Sequence, residues 1–178
     1  MRNKKGQFTN GHSFRKNQNY YGFCEDIVIF NTIKGDFIID LDDFEKVNKY
    51  NWSINDAGYV WCSSRKIGFL HRFILNLKNK EVMIDHIDRS PLNNRKNNLR
   101  MSTKSTNGMN RLKPISNTSG YKGVSFRQDR NKYRAYITLQ QKTLHLGHYD
   151  TAIEAALAYN NAAILYHKEF AVLNEVSK

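Results

Sequence analysis

Cysteine is nearly absent from these 178 residues: Cys24 and Cys62 stand alone, with no CxxC spacing. That excludes a zinc knuckle and a disulfide framework, and reads as two reduced, packed thiols of a cytosolic protein. Long apolar runs are absent too. No window of about eighteen apolar residues occurs, and no apolar segment follows the basic opening MRNKKGQFTNGHSFRKNQNYYG, so neither a membrane span nor a secretion signal is expected. Acidic residues are the third shortage. Sixteen Asp and Glu face 28 Lys and Arg, a net charge of +12, and such a surplus on a soluble chain points to a polyanion, above all nucleic acid. The shortage is uneven. Residues 1–22 hold five Lys/Arg and no carboxylate, residues 25–56 hold eight carboxylates against three lysines, and residues 104–142 hold nine Lys/Arg against Asp129 alone. A chain divided in this way should turn its C-terminal half toward the polyanion.

What is present organises into an α+β chain. Forty per cent apolar and twelve per cent aromatic residues suffice to build cores. Residues 1–22, polar and without apolar periodicity, are expected to form a basic flexible arm. Residues 23–66 read as a small β-rich module, with strands in FCEDIVIFN, DFIIDL and GYVWCSS and one short helix in DDFEKVNKYNW. Residues 67–112 contain FLHRFILNL and the Asn-rich VMIDHIDRSPLNNRKNNLRMSTKSTNGMN. Residues 113–118, polar and carrying a Pro, read as a linker. Over 119–174, GYKGVSF, KYRAYITL and KTLHLGHY alternate as strands. The period then changes to 3.6 in TAIEAALAYNNAAILYHKEF, where Thr151 and Glu154 form a capping box. A three-stranded antiparallel sheet packed on one helix is expected.

The chemistry concentrates in VMIDHID. Alternation puts Val82, Ile84 and His86 on one side of a short strand and Met83 and Asp85 on the other. Asp85 can give an oxygen to a hard divalent cation, which needs only one or two protein ligands beside water and phosphate. A neutral His86 can take a proton from water at physiological pH, as a general base attacking a phosphodiester must. An Asn can coordinate a metal or hold a histidine in one tautomer. Asn98, at the start of a second strand, is placed for the latter, and Asn107, on a short helix opened by Ser102 or Thr103, for the former. Arg72, Arg95 and Arg100 offer guanidinium groups matched to phosphate.

Asp85-His86, Asn98 and Asn107, with LHRFILN and DHIDRSPLNNRKNNLR around them, resemble the HNH nuclease motif in its His-Asn-Asn form, found in phage and intron-encoded homing endonucleases. The resemblance covers residues 67–112. It implies a ββα-metal core, with His86 as general base, Asp85 and Asn107 as metal ligands and Asn98 orienting His86. One divalent cation, Mg²⁺ or Mn²⁺, would suit Asn107 better than zinc, and no small-molecule cofactor is implied. His71 resembles the histidine preceding the motif in this family and reads equally well as structural. Asn93, Asn94 and Asn97 read as hydrogen-bonding loop residues.

Residues 119–174 resemble an Apetala-two/ethylene-response-factor DNA-binding domain through Tyr121-Lys122-Gly123-Val124, Tyr133-Arg134-Ala135, Leu146-Gly147, Ala155-Ala156, Ala158-Tyr159 and Leu173-Asn174. The resemblance implies a sheet that enters the major groove with the helix behind it. Alternation directs Arg134, Tyr136 and Thr138 outward, with Ser125, Thr143 and His145 beside them and Lys122, Arg127, Arg130 and Lys132 flanking, a set able to meet phosphates and base edges. Ser125 stands where plant members carry Arg, and Tyr133 and His145 where they carry Trp, so plant-type site preference is not expected. Together these readings describe a metal-dependent DNA endonuclease of homing type. It would cut double-stranded DNA, in the cytoplasm of a bacterial host or phage-infected cell, at a site selected by its C-terminal module. No coiled coil or exposed apolar helix is evident, so a monomer or weak dimer is expected. A non-catalytic DNA-binding protein that keeps the nuclease fold as scaffold is the alternative.

Overall fold

The computed structural model describes residues 19–64 and 66–176. The expected flexible arm therefore lies mostly outside the described residues, and its last three, Tyr20 to Gly22, belong to a strand. The chain divides into two compact units, residues up to Met101 and residues from Ser102.

In the first unit, β1 (Tyr20–Cys24), β2 (Ile27–Thr32) and β3 (Gly35–Asp40) form an antiparallel sheet in that order. The segment read as one strand, FCEDIVIFN, is split by a turn whose Glu25 has φ +52°, a conformation that ends β pairing. Alternate residues Val28, Phe30, Phe37 and Ile39 are buried, as a half-covered sheet requires. A 3₁₀ turn (Leu41–Asp43) leads into α1 (Phe44–Val47). Next, β4 (Ser53–Ile54), β5 (Val60–Cys62) and β6 (Gly68–Phe69) pair antiparallel, and α2 (Leu70–Ile74) follows directly. Then β7 (Met83–His86) and β8 (Leu99–Ser102) make a two-stranded sheet. One core runs through all of this, from Val28 through Trp52 and Leu70 to Leu99. Cys62 is packed in it, whereas Cys24 is exposed, so only one thiol is shielded as expected.

The second unit opens with α3 (Lys104–Met109), capped by Thr103 in a reciprocal pair with Thr106. β9 (Val124–Arg127), β10 (Lys132–Leu139) and β11 (Lys142–Tyr149) follow as an antiparallel sheet in the order β11-β10-β9, with α4 (Ala152–His167) packed on it. Ala135 and Ile137 face Ala155, Ala156, Tyr159 and Ala163, all buried. The small helix residues let α4 lie close, and Gly123 is part of the same fit. It adopts φ +72°, and a Cβ there would sit 2.0 Å from the Tyr159 ring. Asn174 closes the unit: its amide brackets the backbone N–H and C=O of Lys122, while Asn160 brackets Asn174.

The expectation that no helix exposes an apolar face is not met. Ile153, Leu157, Ile164 and Leu165 of α4 are between 43% and 64% exposed. Apolar residues stand on every side of this helix, so its pattern has no polar stripe from which the solvent face could be read. No described helix is long and apolar enough to cross a membrane.

Candidate active site

Both members of the Asp-His pair are buried, Asp85 at 6% exposure and His86 at 5%. Alternation along β7 sends them in opposite directions, so each must be covered by a different set of groups. Around His86 the cover is a cluster of rings. His71 on α2 lies edge-on at a centroid distance of 5.4 Å, Tyr59 lies at 6.1 Å, and Phe69 of β6 stacks on His71 at 5.5 Å. Asp85 is covered by Arg100 of β8, whose Nε and Nη2 both donate to Oδ2, at 2.9 and 2.7 Å.

The electrostatics follow from this burial. His86 has its pKa pushed below the ordinary histidine value chiefly by desolvation, with contact from the Asn94 side chain and the charges of Asp88 and Asp85 opposing the shift. His71 is driven further, to about 3, by burial and then by the nearby His86 and Arg72 charges. Both imidazoles are therefore neutral at physiological pH, as a proton acceptor must be. The Nδ1 of His71 is buried and makes no hydrogen bond to protein.

The loop between β7 and β8 is built by its asparagines. Asn98 Nδ2 donates to Asp88 Oδ1 and to the Asn93 carbonyl, both at 2.8 Å, while its Oδ1 accepts from Asp88 N at 3.0 Å. Its amide thus braces the loop, and the direct bond to His86 expected from sequence is absent: the short 3₁₀ turn Lys96–Asn98 aims the side chain inward at the loop. Asp88 would rise in pKa from burial, but hydrogen bonds from Ser90 N, Asn93 and Asn98, with His86 nearby, outweigh this and hold it low. The loop is docked on β3, where Ile38 N donates to Leu92 O and Asn94 N to Ile38 O, both at 2.9 Å. That docking buries Asn94 completely beside His86.

The arginines expected at phosphates are engaged within the protein. Arg95 spans Asp40, at 2.7 Å, and Asp26, tying the loop to the first sheet. Arg72 donates to the carbonyls of Val82, at 2.7 Å, and Asn79. Asn107 lies half-buried on α3, in the second unit. Among the DNA-facing expectations, Lys122 caps the end of α3 through the carbonyls of Met109 and Arg111, at 2.6 and 2.5 Å, which turns its ammonium inward. Arg127 pairs with Asp129 and Lys132 with Asp150, both at 3.0 Å and on the surface. Arg130 stands 3.9 Å from Asp129.

Ser125, Arg134, Tyr136, Thr138, Thr143 and His145 share one sheet face through the pairs Arg134↔Ser125, Tyr136↔His145 and Thr138↔Thr143, and the Arg134 guanidinium lies 4.8 Å from the Tyr136 ring centroid. A bulge between Ala135 and Tyr136 shifts the register, so Arg134 pairs with His148, which joins this face with its ring 4.6 Å from that of His145. Strict alternation along β11 misses His148. The signal that could have found it is Gly147, a strand-interior glycine at φ +136° that marks the bulge. Tyr59 and Phe69 were missed as partners of the imidazoles, and nothing in the local sequence announces them.

Among the described residues no three His, Cys, Asp or Glu side chains gather as a cage, and Asp85 on β7 is an oxygen donor of the kind that Mg²⁺ takes, singly or in pairs, beside water and phosphate. A buried carboxylate and a buried neutral imidazole thus stand on consecutive residues of β7, one on each side of the strand, and these are groups that phosphodiester cleavage can use.

The comparisons agree. A family model described as HNH endonuclease matches residues 70–109. An HNH endonuclease of Acanthamoeba polyphaga mimivirus is 33% identical over 164 residues, covering 86% of this chain and 85% of that protein. Protein 3.8 of Escherichia phage T7 is 37% identical over 92 residues, 52% of this chain and 75% of that protein. No solved structure matches. The chain belongs to the HNH endonuclease family and is a nuclease. HNH nucleases generally use a divalent metal.

Proposed function

We propose that this nuclease hydrolyses phosphodiester bonds of double-stranded DNA with one divalent cation, Mg²⁺ or Mn²⁺, at a site chosen by residues 119–174. The observation that carries the reading is the pairing of a buried, neutral His86 with the buried carboxylate of Asp85 on β7. His86 takes the proton from the attacking water. The ring cluster of His71, Tyr59 and Phe69 keeps bulk water from the imidazole and limits its rotation. Asp85 would hold the ion, with Arg100 fixing the orientation of its carboxylate. When bound, the cation stabilises charge on the pentacoordinate phosphorus and the leaving oxygen. Asn98 acts at one remove, by holding the loop that carries Asn94 against His86.

The sheet face bearing Ser125, Arg134, Tyr136, Thr138, Thr143 and His145 supports the reading of the second unit as a DNA-binding module of the Apetala-two kind, and a homing role would follow from such directed cutting. Supercoiled plasmid incubated with Mg²⁺, with Mn²⁺ and with chelator tests the reading. Nicked or linear product should form with either metal and vanish with chelator. Cleavage that persists in chelator would remove the cation from the mechanism.

A further inference from the structure

Several cations in the first unit meet acids: Lys34 pairs with Asp56, Lys96 with Asp43, Arg95 with Asp26 and Asp40, and Arg100 with Asp85. One region gathers cations that do not. An open groove of about 640 Å³ is lined by Lys46, Lys66, Arg72, Lys78 and Lys80, over a floor of Ile67, Phe73 and Leu77, and no Asp or Glu is among its lining residues. Lys46 is the partly neutralised member, held by Asp43 at 2.7 Å and the Ile74 carbonyl at 3.0 Å. Lys66, Lys78 and Lys80 are exposed and make no ion pair among the described residues, and Arg72 is anchored by two backbone carbonyls that leave its charge uncompensated. Gathering uncompensated cations costs electrostatic free energy in the isolated protein, and a polyanion offsets that cost.

The groove also shares its wall with the ring cluster. Ile67, Gly68 and Arg72 line it, while His71 of α2, next to Arg72, turns to His86 with Phe69 of β6 stacked on it. A strand lying in the groove would cross the corner that carries the catalytic imidazole.

We propose that this groove is a phosphodiester-binding track for the backbone of duplex DNA beside the scissile bond, separate from the sheet of the second unit. The proposal rests on the nuclease reading for its ligand, and its test is arranged so that the two can fail independently. The full chain and its Lys66→Gln/Lys78→Gln/Lys80→Gln variant are titrated with several duplexes of unrelated sequence and one RNA duplex of equal length, in chelator, from 50 to 200 mM salt. Substitutions at three exposed side chains leave the thermal transition in place. The variant should bind every DNA duplex more weakly, with a log–log salt slope smaller by about 1 for each lysine–phosphate contact removed. An unchanged affinity and slope overturns the proposal, and so does a loss confined to RNA. If the parent fails to cut in Mg²⁺, the nuclease reading fails while the slope comparison stands.

Discussion

His86 and His71 lie in ring contact but differ in consequence. A general base contributes about 10²- to 10⁴-fold, so His86→Ala should lower the cleavage rate by that factor. Because burial moves the His86 pKa below the ordinary 6.5, the acidic limb of the rate profile should fall at lower pH than an exposed histidine would give. A limb centred at or above 6.5 would contradict the assignment. His71, lowered to about 3, bears on stability. Between pH 6.5 and 3 the unfolded chain binds a proton at this residue that the folded chain does not, so stability is full above 6.5 and falls with pH through that window. The slope is at most about 1.4 kcal/mol per pH unit. Denaturant titrations across pH should show a shallower dependence in His71→Phe than in the parent. Arg100 is the third case. Partners that orient a metal ligand typically contribute about 10–100-fold in metal affinity, so Arg100→Gln should raise the Mg²⁺ needed for half-maximal cleavage by that factor. A lower requirement would mark Arg100 as the cation's competitor at Asp85. The strand that carries Asp85 and His86, with the two side chains on opposite sides, was legible from alternation alone. The engagement of Arg95 and Arg72 was not, because their partners, Asp26, Asp40 and the carbonyls of Asn79 and Val82, are set by tertiary packing.

At the scale of elements, the β7–β8 hairpin depends on a loop that cannot brace itself by backbone pairing alone. Asn98 makes three of its hydrogen bonds. Asn98→Ala leaves Asp88 N and the Asn93 carbonyl without these bonds, at a cost of about 1–3 kcal/mol, and should lower both the melting temperature and the cleavage rate. An Asn98→Ala protein of parental stability would show the loop to be braced elsewhere. In the second unit, Gly123→Ala forces a methyl group into the Tyr159 ring and should destabilise by about 1–3 kcal/mol, read by chemical denaturation. The β9–β11 strands and α4 could be read from sequence because a period of two gives way to 3.6 at a capping box. The bulge beside Gly147 left the hydrophobic pattern of β11 almost unchanged, so that one inserted residue changed which side chains share a face with only the glycine as its signal. β1 and β2 were merged into one strand because the turn at Glu25 contains neither Gly nor Pro.

The whole molecule combines a chemical centre in the first unit with a basic sheet in the second, and its net charge of +12 supplies attraction that no single contact explains. Such binding is salt-dependent whatever the chemistry, so affinity alone does not report on the centre. Separating cleavage from binding does. Parent and His86→Ala proteins should be compared on the same plasmid DNA in Mg²⁺, with binding followed in parallel on the same duplex at fixed salt. Metal-dependent cleavage by the parent, lost by about 10²-fold or more in the variant while both bind with the same affinity, is the expected result. A His86→Ala protein that cuts as fast as the parent would contradict it and move the general base elsewhere.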